Sequence, residues 1–201
     1  MIFQAMELIR QNVNSFIASA IPLPNPEPVV LGNIAFATPD NPATTLVDES
    51  AQVYMTMVNV EEEATYRNLG AVRQSEIRPM AYVNPPMYLN LFILFSANHK
   101  DYSTALKVLG LVLQFLQGNR TFSISQTPVP ASGVFTNPGP AENDIRITLD
   151  LMSLTFEQVN YLWGSLGGKQ QPFLLFKARQ IEIDAARMLA AGQPVTEIFI
   201  N

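Results

Sequence analysis

The sequence predicts an α/β protein of the α+β type: a mixed, mostly antiparallel sheet packed with two or three helices. Three observations predict it. Residues 2–20 and 103–117 carry apolar residues at three- and four-residue spacings, the period of a helix that buries one face. Residues 144–152 alternate strictly, with Ile145, Ile147, Leu149 and Leu151 on one side and Asp144, Arg146, Thr148 and Asp150 on the other, as a half-exposed antiparallel strand does. Residues 87–96 are apolar almost throughout, with Asn90 as the one strongly polar interruption. Such a run marks a strand covered on both faces, either by its own domain or on one face by a neighbour.

The elements follow in order. The first helix places Ile2, Met6, Ile9, Val13 and Phe16 on one face, with Glu7, Arg10, Gln11 and Asn14 expected on the solvent side. Pro22 ends it, and Pro24, Pro26 and Pro28 make the connector stiff and extended. Residues 29–37 and 53–60 read as strands. An acidic triplet, Glu61, Glu62 and Glu63, comes next, and residues 69–86 read as irregular surface chain ending in Pro85-Pro86. After the apolar strand, Asp101 or Ser103 caps a helix over 103–117 that Gly118-Asn119 stops. That helix has few charges and is expected to be buried on more than one side.

Residues 121–127 read as a short strand and 128–142 as a Pro- and Gly-rich loop. A helix over 155–166 is stopped by Gly167-Gly168, and a strand covers 173–183. Residues 184–191 read as a weak helical turn, broken by Gly192-Gln193-Pro194 before one last strand over 195–201. The organisation is therefore one domain, residues 1–184, followed by a C-terminal arm, residues 185–201, whose terminal strand has to pair with something.

Composition narrows the function. Of 201 residues, 48% are hydrophobic and only 14% charged, against about 25% charged in an average globular domain. A subunit that hides surface against neighbours can dispense with charge, because interface cores are depleted in it. The net charge of −5 and the scatter of its 12 Lys and Arg leave no basic stripe for nucleic acid. The absence of cysteine removes disulfides, thiolate metal sites and Cys nucleophiles. Polar residues break every apolar run short of a membrane span. The N-terminus lacks the basic-then-apolar order of a signal peptide, which makes cytoplasmic synthesis the default.

Catalytic constellations are weak. A Ser–His–acid triad would have to use His99, the single histidine, and its setting reads as a loop beside the Asp101 cap. Consecutive carboxylates at 61–63 cannot all point one way, so a solvated or partner-facing acidic patch is expected there, not a cation site. Gly164, Gly167 and Gly168 lack the strand-before-helix context of a phosphate loop. No cofactor or metal is implied.

The ordered stretch Asn84-Pro85-Pro86-Met87-Tyr88-Leu89-Asn90-Leu91, Asp101-Tyr102, Ala105-Leu106-Lys107-Val108-Leu109-Gly110 and Gln114-Phe115-Leu116-Gln117 resembles the N-terminal domain of the terminator family of Photorhabdus virulence cassettes and related antifeeding-prophage-like particles. So do Ile145-Arg146-Ile147-Thr148-Leu149, Leu162-Trp163-Gly164-Ser165-Leu166-Gly167-Gly168 and Pro172-Phe173. The run Phe173-Leu174-Leu175-Phe176 is more apolar than the family pattern.

The resemblance implies a structural, non-enzymatic cap. Its subunits form a six-fold ring on the last layer of the inner tube and sheath of a contractile injection particle. Sheath protein and inner tube protein are the partners it implies, with a second cap subunit as a further candidate. Assembly would take place in the bacterial cytoplasm, before any release of the particle. The alternatives are a tube or baseplate subunit of the same particle, a small hydrolase using His99, or a ligand-binding module. The candidate interface residues are Val195, Glu197, Ile198, Phe199 and Ile200 of the terminal strand, which suits addition to a sheet edge, together with Glu61, Glu62 and Glu63.

Overall fold

The structure, a computed structural model, describes residues 2–21, 27–36, 53–66, 72–75, 78–83, 87–99, 101–123, 146–183 and 188–191. Six strands form one sheet: β1 (Val29–Leu31), β2 (Val53–Glu62), β5 (Met87–Ala97), β8 (Phe173–Ile183), β7 (Arg146–Met152) and β6 (Thr121–Ser123), side by side in that order. All neighbours are antiparallel except the parallel pair β1–β2. A smaller sheet has the order β3 (Val72–Ser75), β4 (Arg78–Val83), β9 (Met188–Ala191). The helices are α1 (Ile2–Ala20), α2 (Tyr102–Gly118) and α3 (Phe156–Ser165). The fold class is the α+β arrangement that the periodicities predict.

The two sheets share one column order. Met87 faces Ile183 across β5–β8, and Val83 faces Met188 across β4–β9. Glu62 faces Leu89 across β2–β5, and Val72 faces Tyr82 across β3–β4. The three central columns of the large sheet therefore reappear, in the same order, as the small one.

The apolar run of β5 is covered on both faces by its own chain. On one face Leu91, Ile93 and Phe95 pack with Phe176, Ala178, Ile147 and Leu149 beneath α1 and α2. Phe95 meets Phe176 edge-on at 5.8 Å, and Phe16 of α1 meets Phe115 of α2 at 5.2 Å. On the other face Leu94 and Leu175 lie under Trp163 of α3, whose ring stands 5.6 Å from that of Phe173. The near-absence of polar residues in this strand is thus explained within the domain.

Local signals place the helix ends. Asp101 caps α2, accepting from the backbone N–H of Ser103 and Thr104. Thr155 and Gln158 cap α3 reciprocally. Gly167 and Gly168 end α3 with positive φ, and the Gly168 N–H returns to the Trp163 carbonyl at 2.7 Å.

Several expectations change. Residues 72–75 and 78–83 are paired strands where surface chain was expected, because the hairpin is held by pairing with β9, which no local pattern announces. Pro79 is tolerated there because β9 reaches only Ala81–Val83 of β4. Met188–Ala191 is a strand, not a helical turn: pairing with β4 overrides the helical preference of its Met, Leu and Ala. The strand expected over 29–37 ends at Leu31 and gives way to a 3-10 turn at Ile34–Phe36.

The polar side of α1 is also buried. Glu7, Gln11 and Asn14 are all shielded from water. Glu7 takes two bonds from Arg10 and one from Gln11, and Arg10 reaches on to Glu27 at 2.7 Å. Asn14 accepts from the Val29 N–H at 2.9 Å and donates to the Val29 carbonyl at 2.8 Å. It thereby satisfies the outer edge of β1, so the position is filled by an amide for its two-way bonding. Conversely, α2 buries Ala105, Val108, Leu109, Val112 and Leu116 but leaves an apolar outer side open.

Candidate assembly surfaces

The acidic triplet divides. Glu61 pairs with Asn90 across the ladder and so shares the α3 side of the sheet. Glu62 faces Leu89 on the α1 side. Glu63 follows the strand, and its carboxylate accepts from Asn90 Nδ2 at 2.8 Å and from the Thr65 hydroxyl at 2.8 Å. These bonds, Asn90 first, hold its carboxyl at about 2, well below the ordinary range. Glu63 therefore ties the end of β2 to β5, whereas Glu61 and Glu62 are exposed. The triplet is not a single patch, in keeping with the alternation of a strand.

Beyond α3 the same sheet face turns polar. Lys177 stands 5.4 Å over the Phe92 ring and 3.9 Å from Glu61. Arg179 Nε lies 2.8 Å from Asp150 Oδ2. Cross-strand pairing sets these charges against one another, so this half of the face is zipped from within.

The apolar surface lies elsewhere. Tyr102, Leu106 and Leu113, at spacings of four and seven, line the outer side of α2, and each is at least 37% exposed. Gly110 lies on this side too, with open space where a Cβ would stand. At the start of α3, Phe156 is 95% exposed, and Tyr161 of the same helix is exposed as well. Sequence reasoning missed the α2 stripe by assigning it to a core. The surplus of apolar residues around that helix was the available signal.

Val195, Glu197, Ile198, Phe199 and Ile200 lie outside the described residues. His99 is where the sequence put it: its Nδ1 accepts from the Asp101 backbone N–H at 3.0 Å. The Asp101 carboxylate is occupied with Thr104 and Ser103, which hold it at about 2. A carboxylate committed to a helix cap does not orient an imidazole for base catalysis. Among the described residues no three His, Asp or Glu side chains converge as metal ligands, and no helix is long and apolar enough to cross a membrane.

Residues 5–197 match the family model described as the Pvc16 N-terminal domain. The chain belongs to the Pvc16 N-terminal domain family. Among solved structures, this family member is similar to the sheath/tube terminator, in its extended state, of the extracellular contractile injection system PVC. The TM-score is 0.56 at 11% identity, over 94% of this chain and 61% of that one. The likeness is one of fold, and the chain spans 61% of the terminator's length. The tube terminating cap of the anti-feeding prophage aligns with TM-score 0.47 at 13% identity, over 74% of this chain and 48% of that one. No curated protein sequence matches the chain.

Proposed function

We propose that this chain is a structural subunit, not an enzyme, that caps the tube-and-sheath end of a contractile injection particle. The observation that carries the reading is membership in the Pvc16 N-terminal domain family over residues 5–197. The likeness of fold to a sheath/tube terminator supports it. So does the open apolar side of α2 on a chain poor in charge, the composition expected of a surface that another subunit covers.

The mechanism is geometric. Subunits close into a ring, six-fold by the family resemblance, through two different complementary surfaces on each copy. One side of the ring mates with the last layer of inner tube and sheath, and the other offers no site for a further layer. Residues 1–184 act as the body and residues 185–201 as an arm that is anchored to it where β9 pairs with β4, with Val195 to Ile200 adding as a strand to a sheath subunit. Assembly takes place in the cytoplasm, and the finished particle carries the ring out of the cell on release.

Labelled chain imaged on purified particles is expected at the end away from the spike. Finding it along the tube or at the baseplate would replace the cap reading with one of the other structural roles. Removal of residues 195–201 is expected to give sheaths that detach or lose length control. Unchanged particles would remove the arm from the mechanism.

A further inference from the structure

Most of the exposed apolar side chains outside α2 gather at two opposite margins of the large sheet. One margin is β1 with β2, where Phe3, Phe36 and Met57 are exposed; the other is β7 with β6, where Leu151, Phe156 and Tyr161 are.

The first margin is hollow. Phe3 and Met6 of α1, Leu31 of β1, and Met55 and Met57 of β2 line a groove of about 200 Å³, completed by Gly32, Asn33 and Thr56. Its polar members are bonded locally. The Thr56 hydroxyl donates to the Gly32 carbonyl at 2.6 Å and accepts from the Ile34 N–H at 3.1 Å, and Asn33 Oδ1 accepts from the Ala35 N–H at 3.0 Å. No charged side chain lines the groove. Three methionines do, and their flexible thioethers adapt to an aromatic ring and attract it. A cavity of about 150 Å³ takes a benzene ring, so a phenyl group fits.

The second margin protrudes. Phe156 opens α3 shortly after β7 ends at Met152. It is more exposed than any other large apolar side chain among the described residues. It stands two turns before the buried Trp163, and so on the same helix face. At Trp163 that face packs with Leu94 and Leu175; at Phe156 it is open.

Charge agrees with this pairing of margins. Glu157, next to Phe156, is exposed. Its Oε1 accepts from the Tyr161 hydroxyl at 3.2 Å, which leaves an ionised carboxylate with further acceptor capacity. The first turn of α1, which carries Phe3 of the groove, has no acidic residue to offset the positive end of that helix.

We propose that Phe156 of one copy of this chain enters the Phe3–Met57 groove of a second copy, with Glu157 against the first turn of the second copy's α1. The chain itself supplies both halves, an aromatic knob and a methionine-lined seat, the residue types enriched in interface cores. Knob and seat lie at opposite margins, so two copies joined by one such contact still offer a seat on one and a knob on the other. The contact is head-to-tail and repeats until a ring closes. The proposal rests on the reading of this chain as a ring-forming cap and assigns the two complementary surfaces that such a ring needs.

The test uses purified particles assembled from an equal mixture of light and isotopically heavy chain, with a benzophenone photo-crosslinker in place of Phe156 to keep an aromatic group at the knob. Irradiation is expected to join light to heavy copies through a peptide containing Phe3 and Met6, or Met55 and Met57. Phe156→Ala is expected to melt like the wild type, because the side chain is exposed, and to lower the amount of chain retained on particles about tenfold. Met57→Glu, which puts a charge into the groove, is expected to act in the same direction. Glu157→Lys is expected to lower retention about threefold at low salt.

A crosslink to a different particle protein, or only within one copy, would overturn the proposal and leave the cap reading standing. So would normal retention of Phe156→Ala. Absence of the wild-type chain from particles would overturn both.

Discussion

The two long helices cover the same sheet face and break the usual rule of amphipathic helices in opposite ways. α1 buries polar side chains: Glu7, Gln11 and Asn14 lie among Leu8, Ile9, Val13 and Ile17. α2 exposes apolar ones: Tyr102, Leu106 and Leu113 face outward while Val108 and Val112 face the sheet. In α1 each buried polar side chain makes at least one hydrogen bond, within the Glu7–Arg10–Gln11 cluster or to the edge of β1 through Asn14, which offsets part of the desolvation cost. In α2 the outward apolar residues have no such local account. The contrast teaches that the polar side of α1 is closed by the fold, whereas α2 has an apolar side left for something outside it.

The largest test of the contrast lies in α1. Leu8 is fully buried against the sheet, so Leu8→Ala is expected to cost about 2–5 kcal/mol in a denaturant melt. A cost below about 1 kcal/mol, the range of surface substitutions, would deny α1 its place in the core. Next comes the polar part of the same helix. Asn14→Ala leaves the N–H and carbonyl of Val29 without their side-chain partner, and a loss of about 1–3 kcal/mol is expected. If stability were unchanged, the buried amide would be incidental.

A smaller effect is expected at the start of α2. The Asp101 carboxyl, at about 2 in the folded chain, lies below its ordinary value of about 4. The stability it confers is present in full above pH 4 and is lost as pH falls through 2. Asp101→Asn retains a capping side chain but removes the titration. The variant should therefore melt like the wild type at neutral pH and lose less stability between pH 4 and 2. An unchanged acid limb would place the acid sensitivity elsewhere, for instance at Glu63, which is held at a similar value.

The smallest change in stability sharpens the contrast most. Leu106→Gln with Leu113→Gln, on the open side of α2, is expected to shift the melt by no more than about 0.5 kcal/mol while lowering the amount of chain that co-sediments with particles. A large loss of stability would make that side part of the core. A stable variant that still incorporates normally would leave the exposed stripe without a role in assembly.

Much of the fold was legible from local pattern. The alternation of 144–152, the helical spacing of 2–20 and 103–117, the Asp101 cap and the Gly167-Gly168 stop all report on conformation within one element, where a residue's neighbours in sequence are also its neighbours in space. The triplet Glu61–Glu63 was readable only to the extent that its carboxylates diverge. That Glu63 is spent on Asn90 depended on β5, which lies far along the chain. The candidate strand Val195–Ile200 lies beyond the described residues, so its pairing stays a proposal.

The sequence by itself determined the fold class, most of the elements and the inward apolar faces, because periodicity and capping are local. Only the tertiary structure decided the rest. It set the strand order, carried the three central columns into the small sheet through β9, and buried Glu7, Gln11 and Asn14. It also left α2 open on one side and ended β1 early along β2. Each of these depends on which distant segment satisfies a backbone edge or covers a face, and residues adjacent in sequence do not encode that choice.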